Sequence, residues 1–268
     1  MIVEQIDGLV CDMDGVLYRG SEPVPGAVEA VSELRRRGVR LVFCTNNSRS
    51  TVEQYLEKLR SLGIEARPEE VLTSAVVTAE VLARRGWAGA RAVVVGGDGL
   101  RAALASIDVE ITDDSSPVDL VAVGWDPRFD YDAMRRATLA LQAGAEFVAT
   151  NDDATFPAAM ESGTAVLWPG AGAILASIEV ASGRKAEVMG KPHRPMMEAA
   201  RARLRDAHRI GIVGDRSETD LAGGAAMGWT TVLVLSGVTA RSAVDEVEPP
   251  PDVVLDSIAD LVRPGDQR

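Results

Sequence analysis

Long apolar runs are missing from this chain. None approaches the 18 or so residues that a helix needs to cross a bilayer, so a helical membrane span is not expected. Cysteine is scarce: Cys11 and Cys44 sit inside apolar strand-like segments, and neither has the partner spacing of a metal site. They read as buried free thiols that strand alternation turns away from solvent. Aromatic residues make up 4% of the chain, so Trp125, Phe129 and Tyr131 within "GWDPRFDY" stand out, as pocket lining or, more simply, as packing. Only three of the 28 Lys and Arg residues are lysine. Repeats and low-complexity tracts are absent. "MIVEQIDG" lacks the basic and apolar blocks of a signal peptide, which sets the expectation of a cytoplasmic protein. Positive charge is in deficit as well. A net charge of −12 argues against nucleic acid or an anionic membrane as partner. It would also repel a phosphate ligand unless cations are gathered locally.

What is present is an ordinary globular composition, 46% hydrophobic and 25% charged, over 268 residues, enough for two domains or one large α/β unit. Strand-like and helix-like segments alternate. "LVCDMD" precedes a helix in "PGAVEAVSELRRRG", and "RLVFCT" precedes a helix in "STVEQYLEKLRSLG", where Ser50 and Glu53 form a capping-box pattern. Strands "VLTS", "RAVVVGG", "DLVAVG", "EFVAT", "AEVMG", "RIGIVGD" and "TVLVLSG" follow, mostly with amphipathic helices between them. This predicts an α/β protein with parallel sheets. The turn-rich "DDSSP" (113–117) and "NDDATFP" (151–157), with "WPGAGA" (168–173), place a second domain at 77–186, inserted between 1–76 and 187–268. The last residues, "RPGDQR", read as a frayed tail.

Four segments could carry chemistry. "VCDMDG" ends a strand on Asp12 and Asp14, two carboxylates that would repel unless a cation or a division of roles justifies them; a turn or cap pair is the alternative. "CTNNS" (44–48) offers Thr45, Asn46 and Asn47 at a strand-to-helix turn, suited to phosphate oxygens or to capping a helix. "GKP" (190–192) brings Lys191, a compact charge where arginine is the chain's usual cation, or else a surface lysine. "GDRSETD" (214–220) ends a strand on Asp215, which with Asp12 could hold a hard cation such as Mg²⁺. Asp220 then either orients Lys191 or metal-bound water, or favours a helix dipole. The carboxyl ends of parallel strands line one crevice, so convergence of these segments is expected. "VVVGGDG" (93–99) is too short a glycine run to indicate a nucleotide site.

With "DMDGVLY", "CTNNS", "GKP" and "GDRSETD" in order, the chain resembles the haloacid dehalogenase-like hydrolases, in particular their 4-nitrophenyl phosphatase/NagD-type branch. "VAVGWD", "ATNDD", "PGAGAI" and "TVLVLSGV" extend the likeness over nearly the full length. The resemblance implies a Rossmann-like parallel-sheet core with an inserted α/β cap. It further implies hydrolysis of small phosphomonoesters through an aspartyl-phosphate at Asp12, with Asp14 as general acid and base. Mg²⁺ would be held by Asp12, the Asp14 carbonyl and Asp215, and Lys191, Thr45 and Asn46 would meet the phosphoryl charge. Cap residues Asn151, Asp153 and Phe156 are expected to face the leaving group, favouring glycerol phosphate over phosphoglycolate, or else to form a solvated turn between strands. A homodimer through the cap is compatible with the resemblance. Two rivals remain: a phosphosugar mutase of the same superfamily, and a non-catalytic phosphoaspartate signalling or phosphate-binding domain.

Overall fold

The computed structural model describes residues 4–113, 117–161 and 164–263, so the middle of "DDSSP" and the tail lie outside the described residues. Strand β1 (Gly8–Asp12) leads into a short hairpin of β2 (Tyr18–Arg19) and β3 (Glu22–Pro23), helix α1 (Ala27–Arg36), β4 (Arg40–Thr45), helix α2 (Val52–Ser61) and β5 (Val71–Thr73). Next come α3 (Ser74–Arg84), β6 (Arg91–Val95), α4 (Asp98–Ala105), β7 (Glu110–Ile111), β8 (Leu120–Val123), α5 (Tyr131–Gln142) and β9 (Glu146–Ala149). The antiparallel pair β10 (Thr155–Glu161) and β11 (Thr164–Pro169) precedes α6 (Ala171–Ser182) and β12 (Glu187–Val188). The chain ends with α7 (Arg194–Arg203), β13 (Ile210–Gly214), α8 (Ala222–Ala226), β14 (Thr230–Val234) and β15 (Val253–Leu255).

Two compact units result. One comprises residues 1–45, 55–72 and 196–268; the other comprises 46–54 and 73–195. The first is built on a six-stranded sheet in the order β15-β14-β13-β1-β4-β5, with β1 parallel to both β13 and β4. Leu9, Val10, Val42, Phe43, Ile212 and Val213 are all buried, which is why these strands read as continuous apolar runs rather than alternating ones. A fully buried aliphatic side chain of this kind contributes about 1.5–3 kcal/mol. Helix α1 turns Ala27, Ala30, Val31 and Leu34 inward at helical spacing.

The second unit is built on a five-stranded sheet, β12-β9-β8-β6-β7. Val93, Val121 and Phe147 from its strands pack with Leu141 of α5 and with Leu175 and Ile178 of α6. Trp125 and Phe129 are partly buried against this core, whereas Tyr131 is exposed, so packing accounts for two of the three clustered aromatics. The expected alternation of strands and helices therefore stands, with parallel sheets in both units.

Helix α2 starts one residue later than its sequence suggests. The reciprocal cap is Thr51 with Gln54, not Ser50 with Glu53: Gln54 N–H donates to Thr51 Oγ1 at 3.3 Å and Thr51 N–H to Gln54 Oε1 at 2.9 Å. Residues 49–50 still bend, and Ser50 belongs to that bend. Among the described residues, no helix is long and apolar enough to cross a membrane.

Candidate active site

In the first unit, Asp12 is the last residue of β1, where the central position of that strand leaves the residue 8% exposed. Asp215 follows β13, the neighbouring parallel strand, and Asp220 lies in a wide helical turn over Ser217–Leu221. One carboxylate oxygen from each of Asp12, Asp215 and Asp220 lies within 4.8 Å of the other two, and all three residues are buried. Three buried carboxylates at that separation repel unless cations or protons compensate them. Hard oxygen donors from three residues, in one tight group, match what Mg²⁺ takes from protein while keeping several waters. The site residues therefore fit a divalent hard cation. Asp220 joins the carboxylate group directly.

Asp14 stands beyond the end of the strand rather than on it. Leu17 N–H donates to Met13 O at 2.9 Å and Gly15 N–H to Tyr18 O at 2.8 Å, closing a tight turn in which Gly15 has φ +82°. Asp14 is exposed, yet the protein around its carboxyl withdraws enough water to raise its pKa, against the opposing charges of Lys58 and Arg216. Lys58 lies 3.5 Å above the ring centroid of buried Tyr18, and desolvation lowers its pKa while Asp14 pulls the other way.

Asp215 is fixed from a second direction. Val238 N–H donates to its Oδ2 at 2.8 Å, and Thr239 Oγ1 donates to its carbonyl at 2.6 Å. Ser236 Oγ donates to Gly15 O at 2.6 Å, tying the same loop to the Asp14 turn. Gly237 permits this approach: a Cβ there would stand 1.9 Å from Asp215 Oδ2. In the sequence "TVLVLSGV" is a family landmark without an assigned role. A glycine shortly after an apolar strand is the available signal.

Thr45 ends β4 in this same unit and is buried. In the second unit, Asn46 gathers the other expected residues. Its Oδ1 accepts the Lys191 N–H at 2.6 Å, and its Nδ2 donates to the Lys191 carbonyl at 2.9 Å and to the Asp153 carboxylate at 3.1 Å. Asn151 Nδ2 donates to Asn46 O at 2.8 Å, and Ser74 Oγ donates to the same carbonyl at 2.5 Å. Asp152 faces His193 at 3.1 Å. The hydrogen bond with His193 lowers the Asp152 pKa, and its counterpart raises that of His193. Asn47 is exposed, its Oδ1 accepting the Arg49 N–H at 2.9 Å. Lys191, 3% exposed, precedes α7 by three residues and is no surface lysine. Phe156 packs edge-on to Trp125 at 5.2 Å and to Trp168 at 6.4 Å between ring centroids.

Two family models match the chain, a haloacid dehalogenase-like hydrolase over residues 9–110 and a HAD-hydrolase-like model over residues 188–261. An acid sugar phosphatase of Staphylococcus aureus (strain USA300) is 36% identical over 250 residues, 93% of this chain and 94% of the relative. The chain belongs to the haloacid dehalogenase-like hydrolases. Among solved structures, the p-nitrophenyl phosphatase of Archaeoglobus fulgidus superposes with a TM-score of 0.87 at 34% identity, covering 96% of this chain and 98% of its own. The glycerol phosphate phosphatase of Mycobacterium tuberculosis, solved in complex with magnesium, superposes with a TM-score of 0.87 at 32% identity, covering 97% of this chain and 77% of its own.

Proposed function

We propose that this chain is a Mg²⁺-dependent phosphatase of small phosphomonoesters that works through an aspartyl-phosphate at Asp12. The observation that carries this reading is the buried group Asp12, Asp215 and Asp220 at the strand ends, with the raised-pKa carboxyl of Asp14 two residues from Asp12. An Asp12 oxygen attacks phosphorus, and the bond from phosphorus to the leaving oxygen breaks. Asp14 gives its proton to that oxygen; the water withdrawn from around its carboxyl raises its pKa, the direction that suits a proton donor. In the second half, Asp14 takes a proton from water, the water oxygen attacks phosphorus, and the Asp12–phosphorus bond breaks. Asp12, Asp215 and the Asp14 carbonyl would hold the cation, with Asp220 beside them, and when bound it neutralises phosphoryl charge. Lys191 and Thr45 are assigned to the remaining phosphoryl charge, which an acidic chain must meet with local cations and donors.

Residues 77–186 are assigned to substrate choice, since the carboxylate chemistry serves any ester alike. A polyol or sugar phosphate is the proposed substrate, glycerol phosphate before phosphoglycolate, on the reasoning that Asp152 and Asp153, if turned to the leaving group, would disfavour an anionic one. Relatives named acid sugar phosphatase and glycerol phosphate phosphatase point the same way. The test is phosphate release from a panel of phosphomonoesters in Mg²⁺, in Ca²⁺ and after EDTA. Activity in Mg²⁺ is expected to vanish with EDTA and to be poorly supported by Ca²⁺, whose looser coordination misplaces the attacking carboxylate. Full turnover in metal-free protein would remove Asp215 from its role, and turnover only with an added bisphosphate activator would favour the mutase.

A further inference from the structure

Sequence reasoning places Asn46 among the phosphate ligands, because an amide and a hydroxyl at a strand-to-helix turn suit phosphate oxygens. The bonds that this amide makes give it other work. A side-chain amide has two N–H donors and one carbonyl acceptor. Asn46 directs Nδ2 to the Lys191 carbonyl and to the Asp153 carboxylate, which uses both donors, while Oδ1 takes the Lys191 N–H at 2.6 Å. One peptide unit on either side of the Lys191 Cα is thus gripped by a single side chain, through the N–H before it and the C=O after it. Gly190 lets the grip close: a Cβ there would lie 2.6 Å from Asn46 Oδ1 and 2.5 Å from Thr150 O. Asn46 is itself anchored through its carbonyl by Ser74 and Asn151.

From this we infer that Asn46 is a positioning residue, which sets the place from which the buried Lys191 side chain projects and binds no phosphoryl oxygen with its amide. The inference rests on the phosphatase reading for its catalytic consequence, and on the bonds alone for its structural content. A lysine has four rotatable side-chain bonds and a mobile head, so its usefulness as a point charge depends on a fixed origin. A shift of about 1 Å in a charged group costs about 100-fold in rate.

The experiment is a double-mutant cycle of Asn46→Ala and Lys191→Ala, read as kcat/KM on 4-nitrophenyl phosphate in saturating Mg²⁺, together with the amide exchange of Lys191 by NMR. Asn46→Ala is expected to lower kcat/KM about 100-fold in the wild-type background. In the Lys191→Ala background it should lower it less than about threefold, because effects routed through one group do not add. Exchange of the Lys191 N–H should accelerate. Equal losses in both backgrounds would mean that Asn46 meets the substrate itself and would overturn the inference, as would unchanged Lys191 exchange. Should the alanine variant fail to fold, Asn46→Asp keeps the shape and the Oδ1 acceptor and loses both donors. Its rate loss should again disappear in Lys191→Ala. A wild-type protein that releases no phosphate would sink the proposed function, and Lys191 exchange alone would then decide the positioning role.

Discussion

Replacing Gly237 by alanine adds one methyl group, outside every residue assigned to the chemistry, and should nearly silence the enzyme. Its Cβ would stand 1.9 Å from Asp215 Oδ2 and 2.4 Å from Asp215 Cγ. Ordinary contact begins at roughly 3.5 Å, so Asp215 must retreat by about 1.5 Å or the 236–239 loop must lift by as much. Retreat breaks the 2.8 Å bond from Val238 N–H and opens the group in which Asp12, Asp215 and Asp220 share a 4.8 Å span. Lifting the loop loses that bond and the Ser236 bond to Gly15 O, which ties the Asp14 turn. Misplacing a group in the reacting constellation by about 1 Å costs about 100-fold, or about 2.7 kcal/mol of barrier. The assay is kcat/KM on 4-nitrophenyl phosphate as Mg²⁺ is titrated, with circular dichroism to confirm the fold. Gly237→Ala should need more Mg²⁺ for half-maximal activity and fall at least about 100-fold in kcat/KM at low Mg²⁺. Wild-type rates at wild-type Mg²⁺ half-saturation would refute the reasoning, because Asp215 could then move without consequence.

Two further outcomes follow from the same geometry. Asp14→Asn should still let Asp12 be phosphorylated by 4-nitrophenyl phosphate, whose leaving group needs no proton, but should stall water attack; peptide mass mapping after a quench should find a phosphoryl group on Asp12, and steady wild-type turnover would count against Asp14 as the base. The His193–Asp152 pair should make stability pH-dependent. The raised His193 contributes fully below its unfolded value near 6.5 and loses this as pH rises through its folded value, while the lowered Asp152 loses its share only in acid. His193→Gln should therefore depress Tm more at pH 5.5 than at pH 8.5, the stability lost being less than about 1 kcal/mol for a partly exposed pair, and an equal depression at both would dissolve the pair's role.

How much of this was legible in the sequence depends on how local each cause is. Strands β1, β4 and β13 were legible because an apolar run closing on Asp12, Thr45 or Asp215 needs no distant partner to be recognised. The start of α2 was less so, since Ser50-x-x-Glu53 and Thr51-x-x-Gln54 are overlapping capping patterns and only the backbone bend chooses between them. The β10–β11 pair was not legible: a proline at 157 breaks the pattern of its first strand, and exposed Leu167 and Trp168 spoil the apolar alternation of the second. The role of the 236–239 loop depends on Asp215, more than twenty positions earlier, and the grip of Asn46 on Lys191 spans 145 positions. Nothing in "TNNS" itself says whether an asparagine amide will meet a phosphate or a peptide. Lys58 looks like a surface residue of an amphipathic helix until Tyr18 is seen beneath it.

The covalent role of Asp12 is the centre of the account, and Asp12→Asn tests it most directly. An asparagine preserves the shape of a side chain that is almost wholly buried, and removes the nucleophile. Turnover of 4-nitrophenyl phosphate in saturating Mg²⁺ should fall to background while the folded protein melts as the wild type does. Turnover by Asp12→Asn at an appreciable fraction of the wild-type rate would contradict the aspartyl-phosphate mechanism.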